Sequence, residues 1–283
     1  MRVLSIQSWV AHGHAGNAAA VFPLQRLGIE VTAIHTVLFS NHTGYGDWGG
    51  RVFDATLVGE VLDGVARRGI LPATDALLTG YLGDAAIGEA VLAAHARLKE
   101  ANPDALWACD PVIGDVGRGV FVRPGIAEFF RDACVPAADI MTPNHFELDL
   151  LTGRETRTLE AAKEAAAALM ARGPRRLLVT SLAVDGTPDD AIDIAAFGRH
   201  EAWRVRTPKL PIAGRGTGDA IAALFLAHTL SNCPLAECLA RSVSSLHGVL
   251  RATIAAGREE MALIAAQEEL VNPTTLFEPE PIR

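Results

Sequence analysis

Short runs rich in β-branched and other apolar residues alternate along the chain with longer runs in which Ala, Leu and Glu recur at helical spacing. Residues 3–7, 31–39, 76–79, 106–109, 139–142 and 177–180 read as strands, several nearly continuous in apolar residues, as a sheet covered on both faces requires. The patterns between them predict helices over 17–27, 53–68, 83–100, 124–132, 145–151 and 158–172, with Pro23 expected to kink or shorten the first. This alternation predicts an α/β fold with a mostly parallel central sheet and helices on its faces. After Thr180 the period changes. Residues 191–197 and 201–206 predict an antiparallel pair joined by Gly198-Arg199-His200, and three helical runs starting near Gly218, Leu235 and Arg258 close the chain. No linker, low-complexity tract or repeat interrupts residues 1–283, so a single domain is expected.

Composition narrows the function classes. A chain of 283 residues that is 49% hydrophobic can bury a sizeable core. Its 25 Lys and Arg against 33 Asp and Glu leave a net charge of −8, with no basic run of the kind that grips nucleic acid, so no nucleic-acid partner is expected. The start, Met1-Arg2-Val3-Leu4-Ser5-Ile6-Gln7, reads as a strand rather than a signal segment, and no apolar run approaches membrane-spanning length. Cys109, Cys134, Cys233 and Cys238 form no Cys-x-x-Cys pair and sit among apolar residues. Such thiols suit a reducing compartment, so a cytoplasmic location is expected.

The chemistry concentrates first in Gly214-Arg215-Gly216-Thr217-Gly218-Asp219-Ala220, which opens a strongly apolar helical run. Closely spaced glycines let successive amides turn toward one point, and the helix adds unpaired N–H groups and its positive dipole end, which makes an anion site. A carboxylate beside an anion is repelled unless it acts as a proton acceptor. Phosphoryl transfer reconciles the two, the amides holding charge on the migrating group while Asp219 takes a hydroxyl proton. The competing reading is an Asp N-cap on an ordinary helix after a Gly-rich loop.

Ligands of open parallel sheets bind beyond the carboxyl ends of the strands, and the residues placed there are consistent with one pocket. The first strand is followed by Ser8 and Gly13-His14-Ala15-Gly16-Asn17, the second by Ser40-Asn41-His42-Thr43-Gly44, and the third by Gly80-Tyr81-Leu82-Gly83. Hydroxyls, an imidazole and an aromatic face suit a polar heteroaromatic ligand. The fourth strand ends in Asp110-Pro111-Val112, the fifth in Thr142-Pro143-Asn144 with Glu147, and the sixth in Thr180-Ser181. Carboxylates and amides of this kind suit Mg²⁺ and polyphosphate. Each has a duller reading: Asp110 starting a turn, Asn144 and Glu147 forming a capping box, Tyr81 covering the core, His42 a hydrogen-bonded loop histidine.

Together these segments resemble the pyridoxal kinases of the ribokinase superfamily, in the family's order and over about four fifths of the chain. Gly216-Thr217-Gly218-Asp219 indicates only the superfamily, whereas Ser40-Asn41-His42-Thr43 and Gly80-Tyr81-Leu82-Gly83 are much more specific to the vitamin B6 branch. The resemblance implies a ribokinase-like three-layer α/β/α sandwich and ATP-dependent phosphorylation of the 5′-hydroxymethyl of pyridoxal, pyridoxine or pyridoxamine. It implies Asp219 as base, with the amides of Gly216, Thr217 and Gly218 as anion hole. Ser8 and Thr43 would bind the polar edge of the pyridine, His42 would lie beside them, and Tyr81 would pack on the ring. Asp110, Asn144 and Glu147 would manage metal and phosphates, Asp110 and Glu147 partly through water, and Thr180 and Ser181 would contact polyphosphate. Relatives use Mg²⁺, are often helped by K⁺, and commonly form homodimers.

The chain departs from the pattern at Gly114-Asp115-Val116-Gly117-Arg118-Gly119-Val120, the place of the family's lid, where Val120 and Phe121 leave no thiol to capture an aldehyde. Three glycines with Asp115 and Arg118 there read either as a mobile lid or as a plain surface loop. Two alternatives stand beside the leading reading. Hydroxymethylpyrimidine kinase would keep the glycine turn and the base, and a vitamin or nucleotide sensor on the same fold would have no need of Asp219, Asp110 and Glu147.

Overall fold

The period-2 alternation inside each apolar run sends neighbouring side chains into two opposite cores. The computed structural model, which describes residues 1–283, places Val3, Ala76, Leu78, Ala108, Ile140 and Leu178 in one core and Leu4, Leu77, Trp107, Met141, Leu177 and Val179 in the other. These residues belong to five of six parallel strands, whose spatial order is β2 (Glu30–Phe39), β1 (Arg2–Val10), β4 (Ala76–Thr79), β5 (Leu106–Cys109), β8 (Ile140–Met141) and β9 (Arg176–Leu182). Helices α1 (Asn17–Arg26), α8 (Thr217–Leu230) and α9 (Leu235–Ala255) cover the first face. The second is covered by α2 (Ala55–Ala66), α3 (Ile87–Ala101), α6 (His145–Thr152) and α7 (Leu159–Met170). The result is the three-layer α/β/α sandwich expected from the sequence. Helix α8 is buried from Ala220 to Thr229 because it lies between α1 and α9 as well as against the sheet, so its apolar residues need no single stripe.

The antiparallel pair expected after Thr180 is β10 (Ala191–Gly198) and β11 (Ala202–Pro208), which extends the sheet beyond β9. Two edge strands escape the sequence pattern: β3 (Gly50–Val52) pairs antiparallel with β2, and β12 (Glu280–Pro281) with β11. At two or three residues they are too short for a period to register. A separate ribbon of β6 (Gly114–Asp115) and β7 (Gly119–Val120) forms in the segment where the resemblance implies a lid. Helix α1 runs through Pro23 and ends one turn beyond it, at Arg26. The helix expected over 124–132 starts at Ile126 after Gly125, whose φ is +87°; α4 (Ile126–Phe129) continues through a π turn at Phe130–Cys134 into α5 (Val135–Ala137).

The helical run expected from Arg258 is not a helix. Gly257, at φ +61°, ends the preceding helix, and the segment then folds as turns with a single 3₁₀ turn at Gln267–Leu270. Met261, Ala262 and Leu263 are all buried in succession, which a surface helix cannot achieve with one face, and the Ala262 amide donates to the Thr253 hydroxyl at 2.9 Å. No helix of the protein is long and apolar enough to cross a membrane, and all four cysteines are free.

Candidate active site

The carboxyl ends of the parallel strands form one rim, and the polar residues there are fixed by short-range hydrogen bonds. Asp110 follows β5, buried, and the Thr142 hydroxyl donates to its Oδ1 at 2.7 Å. Burial, then the charge of Asp219, pushes the Asp110 carboxyl up to about 7. Asn144 and Glu147 form a reciprocal capping box on α6: the Glu147 amide donates to Asn144 Oδ1 at 2.9 Å, and the Asn144 amide to Glu147 Oε2 at 2.9 Å. Glu147 does more than cap. Its Oε1 accepts the Ile113 and Gly114 amides at 2.8 and 3.3 Å, while Asn144 Nδ2 donates to the Gly114 carbonyl at 2.8 Å, so the pair also holds the base of the β6–β7 ribbon. Burial, then Asp110, raises the Glu147 carboxyl to about 8 against the pull of the three amides. Thr180 bridges to Asn144, its amide donating to the Pro143 carbonyl at 3.0 Å, and the exposed Ser181 next to it has φ +51°.

The glycine turn enters the same rim. Gly216, at φ +71°, is the N-cap of α8 and carries no side-chain cap; a Cβ there would overlap the His14 carbonyl, so glycine alone lets the turn approach the loop after β1. The Thr217 amide and hydroxyl both donate to the Gly214 carbonyl, at 3.2 and 2.7 Å, which leaves the Gly216 and Gly218 amides free of backbone partners. Asp219 is half-buried in the first turn, where burial pushes its carboxyl up to about 6 while the Gly16 amide and its own pull it down. Gly218 lies beside Asp110 Oδ2. The turn, Asp219, Asp110 and Glu147 therefore form one chain of neighbours.

The other half of the rim is looser. Ser8 is buried where β1 slips register against β2, packed on Gly16 so closely that no side chain fits there. Tyr81 is half-buried, packs with the small cluster of Val10, Ala15, Val37 and Phe39, and has its hydroxyl pKa raised by burial; its carbonyl accepts the Thr36 hydroxyl at 2.7 Å. His42 caps a 3₁₀ turn at Thr43–Tyr45, its Nδ1 accepting the Gly44 amide at 2.9 Å. Burial first, then the charges of Arg215 and Arg118, lowers its pKa. Thr43 is exposed and its side chain makes no hydrogen bond.

Three residues that sequence reasoning did not select meet here. The Tyr45 hydroxyl donates to Glu260 Oε1 at 2.7 Å, the His14 amide donates to Glu260 Oε2 at 2.9 Å, and the Arg215 guanidinium lies 3.9 Å above the centre of the Tyr45 ring. Glu260 is buried, and its hydrogen bond pushes the Tyr45 hydroxyl up to about 12. No local spacing marks Glu260, which lies in the segment expected to be helical.

A sequence model of the family described as phosphomethylpyrimidine kinase matches residues 12–263. The chain is 52% identical to the pyridoxal kinase PdxY of Granulibacter bethesdensis, covering 98% of both chains, and 53% identical to that of Rubrobacter xylanophilus, covering 98% of this chain and 96% of the relative. Among solved structures, it resembles the pyridoxal kinase of Leishmania donovani in complex with ADP and pyridoxamine with a TM-score of 0.92 and 31% identity, over 100% of this chain and 99% of the other.

Proposed function

The chain belongs to the pyridoxal kinase family, and from that premise we propose that its rim transfers the γ-phosphoryl of ATP to the 5′-hydroxymethyl of pyridoxal, pyridoxine or pyridoxamine. Residues 1–283, spanned by one ten-stranded sheet, act as a single kinase domain. Asp219 accepts the hydroxyl proton, and the Gly216 and Gly218 amides, with the positive end of α8, hold the developing charge on the phosphoryl. The observation that carries this reading is the setting of Asp219. Its carboxyl sits next to free helix-terminal amides with its pKa raised to about 6, so it is ionised at neutral pH yet basic enough to take a proton in the transition state.

Ser8, His42 and Thr43 take the polar edge of the vitamin ring and Tyr81 its face, while Asn144, Thr180 and Ser181 line the polyphosphate end. The donor chemistry there fits Mg²⁺. Asp110, Glu147 and Asp219 crowd carboxylates into one cleft, where burial and then the charge of Asp219 raise the Asp110 pKa, and burial and then Asp110 raise that of Glu147, a charge imbalance that a divalent cation relieves. Asp110 would hold the ion directly. Glu147 would act through water, because three backbone amides already take its oxygens. No cluster of three or more His, Cys, Asp or Glu side chains is available, so phosphate oxygens and water would complete the shell, and the bound ion would supply neutralisation of the transferred charge. Activation by K⁺ and assembly as a homodimer are carried by the resemblance alone; a cytoplasmic location is supported by the four free thiols.

A coupled assay with ATP and pyridoxal, pyridoxine, pyridoxamine or hydroxymethylpyrimidine tests the assignment. Turnover of at least one B6 vitamer well above hydroxymethylpyrimidine is expected. Preference for the pyrimidine would move the chain to the hydroxymethylpyrimidine kinase alternative, and ligand binding without turnover would make it a sensor.

A further inference from the structure

The loop that carries His42 and Thr43 is poorly equipped to hold its own shape. Residues 44–50 include four glycines, and all but Tyr45 are exposed. Glycines lose the most freedom on ordering, so a binding loop of this composition needs an external fixture. Its other fixtures, the Gly49 amide to Ser40 Oγ at 2.9 Å, Asn41 Nδ2 to the Asp47 carbonyl at 2.8 Å and the Trp48 ring 4.1 Å from that of Phe39, hold it to itself and to the end of β2 without tying it to the glycine turn. Tyr45 supplies that tie. Its hydroxyl reaches Glu260, 215 positions away, and Glu260 also accepts the His14 amide from the loop after β1. Arg215, inside the glycine turn, lies on the Tyr45 ring and 3.9 Å from Glu259. The substrate loop, the first loop and the glycine turn thus converge on one buried carboxylate and one guanidinium.

Taking the kinase reading above as premise, we infer that Tyr45, Arg215 and Glu260 form a clasp that positions the vitamin-binding loop against the phosphoryl-binding turn. None of the three needs to touch the reacting atoms. They are positioning residues: they set the distance between the ring held by His42 and Thr43 and the Asp219 carboxylate. Glu260 is buried without a direct ion-pair partner, so its charge is balanced by the Tyr45 hydroxyl, the His14 amide and the nearby Arg215, and loss of any one weakens the whole.

Tyr45→Phe isolates the clasp, because it removes only the hydroxyl of a half-buried side chain. The KM for pyridoxal should rise about tenfold, the loss expected of one hydrogen bond to a charged group, with the KM for ATP unchanged. Arg215→Ala should do the same, Arg215→Lys should restore part of the loss, and Tyr45→Phe combined with Glu260→Gln should cost no more than the larger single effect. Hydrogen exchange of the unliganded full-length chain gives a readout that needs no activity: amides of 41–50 should exchange faster in Tyr45→Phe while those of α3 do not. Equal rises in both KM values, or unchanged exchange at 41–50, would overturn the clasp. A wild-type chain inactive on every vitamer would sink the kinase assignment instead, with the exchange result still deciding the clasp.

Discussion

The two ends of the rim are built in opposite ways. At the polyphosphate end, Asp110, Thr142, Asn144 and Glu147 lie within 38 positions of one another and satisfy each other through side-chain and backbone bonds of 2.7 to 2.9 Å. At the vitamin end, His42 and Thr43 ride on an exposed, glycine-rich loop whose anchor is drawn from the far end of the chain. Buried carboxylates must have partners close at hand, because an unpaired charge in a dry cleft is costly. An exposed loop faces no such demand, and it can open to admit a ligand and close on it. The comparison assigns rigidity to the end that handles charge and adaptability to the end that recognises a ring.

Asp219 sits on the seam between the two, and its removal should have the largest effect. Asp219→Asn should lower kcat by about two to four orders of magnitude with little change in the KM for ATP, since general-base help is lost only in the transition state. Wild-type kcat/KM should rise with pH through an apparent pKa near 6, as the carboxyl ionises, and the variant should lose that limb. Because Asp110 lies alongside, the limb reports the pair rather than either group alone. Near-normal turnover in the variant would dissolve the seam and leave two unrelated pockets.

The same contrast governs what the sequence disclosed. The rigid end is local in the chain, so Asn144 with Glu147 three positions on could be read as a capping box or a phosphate-site pair; the structure shows the capping box, with the ribbon amides added, at the end of the rim proposed for polyphosphate. Helix α8 and its glycine turn were legible because apolar residues fill the helix and glycines crowd its start. The clasp was not legible: a carboxylate at 260 and a phenol at 45 have no shared period. The segment after Arg258 was misread for a related reason, since its composition is helical but tertiary burial of Met261, Ala262 and Leu263 overrides that propensity. Edge strands of two or three residues carry too little pattern to detect.

Tyr81→Ala sharpens the comparison from the vitamin side. The ring packs on Val10, Ala15, Val37 and Phe39, so its loss removes both a face for the ligand and part of that small cluster. An increase in the KM for pyridoxal of about tenfold is expected, in line with the loss of aromatic packing, with the KM for ATP shifted far less. Equal shifts in both steady-state constants would mean that the two ends are not separable.

Asp110→Asn probes the rigid end through stability rather than rate, and its effect is the smallest. The folded-state pKa of about 7 lies above the usual carboxylate value, so between the two the folded chain holds a proton that the unfolded chain has released. Stability from this group is therefore full below the unfolded value and is lost as pH rises through about 7. Asparagine keeps an acceptor for the Thr142 hydroxyl and carries no charge to desolvate. Without nucleotide or metal, the variant's advantage in Tm should be smaller at pH 5 than at pH 8, where it should reach a few degrees, read by calorimetry. A variant no more stable than the wild type at pH 8 would mean that the clustered carboxylates impose no cost on the empty cleft, and the physical ground for placing a cation there would go with it.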